Sequence, residues 1–295
     1  MPRAPVNGIE IEYESLGDPS GEPLLLVMGL GGQLVLWPDS FCKALVERGY
    51  HVIRYDNRDV GLSTKFADVE HDPPVAAMGK AAAGEPVRAP YLMHDIAADG
   101  AGLLDALELE RAHVVGASMG GMIAQTLAIA FPDRVQTLTS IMSTTGDRSL
   151  PGPKPEAMQI LLRPTPQSVE EAIEGALAAT RIIGSPGHLN EDWVRESTTR
   201  SWERDPSRDG LARQLVAIMA SGSRRAALES LRTPTLVIHG ESDPLVPVEC
   251  GRDTLSAIPG AKGLFIAGMG HDLPAAFHET LIDAIHDLAS DHPIG

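Results

Sequence analysis

Cysteine is scarce in this chain, with only Cys42 and Cys250 among 295 residues. They lie far apart, each within a stretch of helical pattern. They read as buried free thiols, with no disulfide framework and no oxidising compartment implied. Positive charge is also short. The 24 Lys and Arg stand against 40 Asp and Glu, a formal charge of −16, which opposes nucleic acid and anionic membrane surfaces as partners and favours neutral or cationic small molecules. No apolar run approaches the roughly 20 residues a membrane span needs; Leu24 to Leu30 is the longest early one. The opening Met1-Pro2-Arg3-Ala4-Pro5 leads into a polar alternating segment without the apolar centre of a secretory signal, so the sequence predicts a cytoplasmic protein. No internal repeat or low-complexity tract is visible. A dinucleotide-binding fingerprint is missing too, because Gly29-Leu30-Gly31-Gly32-Gln33-Leu34 lacks the final glycine of G-x-G-x-x-G.

What is present is organised around Gly116-Ala117-Ser118-Met119-Gly120. This fits the G-x-S-x-G elbow, which raises a serine hydroxyl above a sheet edge on a sharp strand-to-helix turn. The serine takes a strained, positive-φ conformation, and the glycines two before and two after it remove side chains that would collide. The five-residue pattern alone is weak; its surroundings are not. Ala112 to Val115 is a short apolar strand pattern, while Met122, Ile123, Thr126, Leu127 and Ala130 recur at helical spacing up to Phe131-Pro132.

At this length, a large α/β domain carrying an insertion fits better than two equal domains. Ile9, Ile11 and Tyr13 alternate with glutamates after Asn7-Gly8, predicting an antiparallel edge strand or hairpin. Strands are predicted at 24–27, 52–55, 112–115, 135–141, 235–239 and 263–266, separated by helices that include 38–47, 95–107 and 275–288. This alternation implies a mainly parallel, doubly wound sheet with active groups on loops at the carboxyl ends of its strands. Residues 64–93, with Pro73-Pro74, Gly79, Gly84, Pro86 and Pro90, read as one long functional or mobile loop. From Gly146 to Arg232 no strand pattern appears. Val169, Ile173, Ala176 and Leu177 form a helical face behind a Ser168/Glu171 capping box. The predicted division is therefore a core of 1–145 and 233–295 with a helical cap at 146–232.

A serine nucleophile needs a base, and the base needs an acid to fix its tautomer. Most of the ten histidines flank strands or ride on helices, and His239, ending a strand, reads as a packed core residue. His271, in Gly268-Met269-Gly270-His271-Asp272, sits on a Gly-rich loop after the final strand and is the candidate base. Asp243 follows the preceding strand in the Ser…Asp…His order and is the candidate acid; Asp147 and Glu241 are weaker candidates, and Asp272 reads as a solvated neighbour. Backbone N–H groups must meet the oxyanion. Met119, after the serine, supplies one, and Leu30, in the glycine loop after the early strand, the other.

The blocks Leu24-Leu25-Leu26-Val27-Met28-Gly29, Val52-Ile53-Arg54-Tyr55-Asp56-Asn57-Arg58-Asp59, His113-Val114-Val115-Gly116-Ala117-Ser118-Met119-Gly120 and Gly268-Met269-Gly270-His271 resemble α/β-hydrolase fold enzymes, and among them the bacterial anthracycline (aclacinomycin) methylesterases and related carboxylesterases. The resemblance covers nearly the whole chain and is loose over the cap and residues 64–93. It implies Ser118, Asp243 and His271 as the triad, with oxyanion donors at Leu30 and Met119. The resulting expectation is a serine hydrolase of carboxylic esters, without cofactor or metal. Its substrates are small, neutral and apolar, received by Met28, Leu30, Trp37, Met119 and Met142, unless Arg54, Arg58 or Arg181 turns into the cleft. A lactonase or C–C bond hydrolase would use the same residues, a non-catalytic ligand receptor is a further alternative, and a homo-oligomer is left open.

Overall fold

The computed structural model describes residues 1–294. Its first strands, β1 (Arg3–Val6) and β2 (Ile9–Leu16), pair as an antiparallel hairpin around Asn7-Gly8. β1, rather than the alternating 9–13 stretch, is therefore the outer strand. β3 (Glu22–Val27), α1 (Asp39–Glu47) and β4 (Tyr50–Tyr55) follow, then α2 (Pro74–Ala83) and α3 (Met93–Ala106). Next come β5 (Ala112–Ala117), α4 (Met119–Ala130) and β6 (Val135–Ile141). The sheet order is β1-β2-β4-β3-β5-β6, continued by β7 (Thr235–Gly240) and β8 (Lys262–Ile266), and every pair from β4 onward is parallel. This is the mainly parallel sheet expected from the alternation of strand and helix patterns.

Successive strand residues point to opposite faces, and both faces of this sheet are covered. Leu25, Val27, Ile53 and Val114 pack on one side against α3 and α4 through Ile96, Leu104, Ile123 and Leu127. Leu24, Leu26, Val52 and Val115 pack on the other with Phe41 and Leu45 of α1 and with Leu281, Ile282 and Ile285. These last three belong to the helix His278–Ser290 that closes the fold. Burial on both faces explains why the strands read as continuous apolar runs.

Between β6 and β7 the described residues form only helices: α5 (Pro155–Leu161), α6 (Val169–Ile183), α7 (Glu191–Arg204), α8 (Asp209–Ser221) and α9 (Arg225–Leu228). Ser168 Oγ accepts the Glu171 N–H at 3.2 Å as the capping pattern requires, but the Glu171 carboxylate reaches the Gln167 N–H instead of closing the box. α10 (Val248–Ala257) and α11 (His278–Ser290) complete the chain.

The expectation of one long loop at 64–93 also fails. Residues 64–93 contain α2, packed against α8. The residues read as breakers are its boundaries: Pro74 sits in the first turn, where a missing N–H costs nothing, and Gly84 closes the helix in the left-handed conformation at φ 74°. Gly79 is exposed within α2, with open space where a β-carbon would go. Gly79→Ala should therefore raise unfolding stability by about 0.5–1 kcal/mol in urea titration. No gain, or a loss, would count against a helix at 74–83.

Candidate active site

The elbow is built by two backbones passing almost in contact. A β-carbon on Gly116 would stand 2.1 Å from the Gly120 carbonyl oxygen, and one on Gly120 would stand 2.0 Å from that of Val27. Only glycine allows β5 to turn so sharply into α4 beside β3. The collision that the glycines avoid is thus between a side chain and a neighbouring backbone carbonyl. Ser118 itself takes φ 57° and ψ −120°, and its N–H donates to the Ile141 carbonyl of β6 at 2.9 Å. This strained turn carries Oγ out over the carboxyl edge of the sheet.

His271, on the loop after β8, and Asp243, on the loop after β7, meet the serine there. The Asp243 carboxylate can only accept, so His271 Nδ1–H donates to Asp243 Oδ2 at 2.7 Å and leaves Nε2 facing Ser118 Oγ at 2.9 Å. Asp243 is held in turn: its Oδ1 accepts the N–H groups of Leu245 and Val246 at 2.8 and 2.9 Å. The histidine loop is docked on the end of α6. His271 N–H donates to the Ile183 carbonyl at 2.6 Å, and the Gly270 N–H donates to Ser185 Oγ. Asp272, expected in solvent, is instead largely desolvated and accepts from Ser185 N–H and Oγ–H at 3.0 and 2.6 Å. Burial pushes its carboxyl above the ordinary range. Its role is to tie this loop to α6.

The other acid candidates do not reach His271, although Asp147 borders the cavity on which Ser118 opens. Asp147 accepts from Ser149 N–H and Oγ–H, and Glu241 approaches Arg252 at 3.7 Å. His239 is buried, donates from Nε2 to the Val246 carbonyl at 2.8 Å, and has its pKa lowered by burial. His51 and His113 lie inside β4 and β5.

The glycine loop after β3 runs directly beside the serine, a β-carbon on Gly29 being 3.0 Å from that of Ser118. Among the described residues neither the Leu30 nor the Met119 N–H donates to a protein acceptor, whereas the Gly31 N–H donates to Gln214 Oε1 at 2.9 Å. Gln214, on α8, is fully buried and donates from Nε2 to the Arg58 carbonyl. Asn57 Nδ2 donates to the Met28 carbonyl at 2.9 Å. The loop is thus held from both ends.

Ser118 and His271 open on a cavity of about 680 Å³ between the sheet edge and helices α5 to α8. Met28, Leu30, Met119 and Met142 line it, as expected. Trp37 does not: it is buried behind the sheet and stacked on Phe41, with ring centroids 5.7 Å apart. Nor do the arginines considered from sequence enter it. Arg54 pairs with Glu14 and Asp39, Arg58 with Asp99 and Arg181 with Glu191. Gln214, Ser185 and Arg224 were not legible in advance, because they act through contacts between segments distant in sequence, and Arg208 was not because only the folded chain brings it to the cleft. Among the described residues no group of His, Cys, Asp and Glu side chains is placed to hold a metal ion.

Residues 22–274 match the α/β hydrolase fold family. Rhodomycin D methylesterase of Streptomyces peucetius is 30% identical over 97% of both chains. Among solved structures, a meta-cleavage product hydrolase from Pseudomonas fluorescens superposes with a TM-score of 0.77 at 17% identity, covering 99% of this chain and 98% of that one. The enol-lactonase of Burkholderia xenovorans gives 0.74 at 23% identity, over 97% and 99%. At those identities the two structures speak to the fold alone. The family match spans most of the chain and agrees with the sheet order and the elbow: this protein belongs to the α/β hydrolase fold family.

Proposed function

We propose that the chain hydrolyses carboxylic esters of apolar small molecules through an acyl-enzyme on Ser118. The observation that carries this reading is the hydrogen-bonded line from Ser118 Oγ through His271 to Asp243 at the floor of an apolar cleft. His271 Nε2 takes the hydroxyl proton as Oγ attacks the ester carbonyl carbon. The oxygen that becomes negative is received by the free N–H groups of Leu30 and Met119. Collapse breaks the bond to the alcohol oxygen, which leaves with the proton from His271. Water, deprotonated by the same nitrogen, then attacks the acyl carbonyl and releases the acid and Ser118. Asp243 fixes the tautomer and stabilises the imidazolium in both halves. Residues 146–232 act as the cap, supplying the apolar wall that selects the substrate. The rhodomycin D methylesterase relative supports an ester over a lactone.

Ser118→Ala should lower kcat/KM for p-nitrophenyl esters by about 10⁴-fold or more while its circular dichroism and thermal midpoint stay close to wild type. Turnover near wild type in the folded variant would remove Ser118 as the nucleophile. Asp243→Asn should lose less than His271→Ala, and Asp147→Asn should lose nothing; damage at Asp147 instead would move the acid to the loop after β6. Gln214→Leu frees the Gly31 amide and lets the oxyanion loop drift. It should reduce kcat about tenfold, with KM moving less, and a change confined to KM would make Gln214 a substrate contact rather than a support.

A further inference from the structure

In a chain this acidic, most arginines find a carboxylate within 4.0 Å. Among the described residues Arg148, Arg163, Arg208, Arg224 and Arg232 do not, and Arg148, Arg208 and Arg224 line the cleft. Arg224 stands apart because it is also buried, with 8% of its surface exposed. Its Nε–H donates to Gln125 Oε1 at 3.1 Å and an Nη2–H to the Thr144 carbonyl at 2.9 Å, both neutral acceptors, and Nη1 has none. Burial alone, with no carboxylate near enough to oppose it, pushes its pKa down to about 10. A guanidinium stays charged at neutral pH, and leaving it buried without a counter-ion is costly. The neighbours hold the planar group in place without neutralising it.

We infer that Arg224 is the anchor of a carboxylate subsite in the cleft, and that the preferred ester carries a carboxylate at the end of its apolar body remote from the scissile bond. The unpartnered Nη1 and the remaining Nη2–H present a planar pair of donors that matches the two oxygens of a carboxylate. Arg224 is held from beneath the cleft and borders it beside α8. Gln125, which holds Arg224, is fully buried on α4, set back from the cavity that Met119 and Met122 of the same helix line. Leu211, Leu215, Ile218 and Met219 of α8 form an apolar stripe along the cavity, and Arg224 follows just after the end of that helix. Ser118, this apolar stripe and Arg224 thus line one cavity, which an elongated apolar body can share.

The inference rests on the proposed ester hydrolysis, and its test separates the two. p-Nitrophenyl esters of ω-carboxyalkanoic acids of graded length are compared with the isosteres ending in a methyl group. Wild type should favour the carboxylate by about tenfold or more in kcat/KM at one best length. Arg224→Met should reduce that ratio by a similar factor, with Arg224→Lys between. A purely structural role for Arg224 would lower both esters together and leave the ratio unmoved, which would overturn the inference. So would a preference for the neutral ester at every length, or a ratio that collapses in Arg208→Met and not in Arg224→Met. If Arg224→Met does not fold, calorimetry on Ser118→Ala decides instead: tighter binding of the alkanedioate monomethyl ester than of its neutral isostere supports the subsite, and equal or weaker binding overturns it. Turnover of neither ester by wild type would defeat the hydrolase reading itself, while the binding comparison would still judge the subsite.

Discussion

The approach of α4 to the carboxyl end of β3, with room for no atom beyond a glycine hydrogen, is the constraint on which the site depends. A helix seated that closely starts its first turn at the sheet edge, so Ser118 must absorb the change of direction at positive φ. Overpacking a well-packed junction costs about 1–3 kcal/mol. Here the intruding atom would overlap backbone, which cannot rotate aside. The same seating brings the β3 loop alongside the serine and leaves the first amide of α4 without an intrahelical partner. The placement of the Ser118 hydroxyl and the free amides beside it are thus two results of one packing contact.

A second constraint joins the sheet to the helices above it through Asp56-Asn57-Arg58-Asp59. Asp56 accepts from the Leu34 and Leu62 amides and pairs with Arg204 of α7. Asp59 pairs with Arg213 of α8 through both oxygens and accepts from Tyr91. Arg58 pairs with Asp99 of α3 while its carbonyl takes Gln214. Buried pairs add little net stability, because desolvation offsets attraction, yet removing one partner costs roughly 3–5 kcal/mol. Their consequence is geometric. They set where α7 and α8 stand over the cleft, and through Gln214 they set the glycine loop that borders the serine.

The features legible in the sequence were those written locally. Val114-Val115 running into Gly116-x-Ser118-x-Gly120 announces a strand, a turn and a helix within ten residues, and the glycine loops after β3 and β8 announce close approach. Asp243 and His271 followed from order along the chain once the elbow was recognised. Features that depend on which face of one helix meets another were hidden. Pro73-Pro74 and Gly84 read equally as loop punctuation or as the two ends of α2, and only the packing of α2 on α8 decides between them. Trp37 adjoins the glycine loop in sequence but turns behind the sheet onto Phe41. Asp272 looked solvated beside the histidine because its partner, Ser185, lies 87 positions away.

Charge shows the same division between composition and placement. The formal charge of −16 argues for neutral substrates only if distant charges govern the cleft, and at physiological ionic strength they are screened over about 8 Å. A desolvated guanidinium acts at contact, where two unit charges 4 Å apart interact by roughly 4 kcal/mol at an effective dielectric constant of 20. Part of that is spent on removing water from the incoming carboxylate. The desolvation of the arginine has already been met in folding, since Arg224 is buried with only Gln125 and Thr144 as partners. The local cation therefore outweighs the global field. Net charge then governs the rate at which an anion approaches the protein, whereas Arg224 governs whether the anion stays.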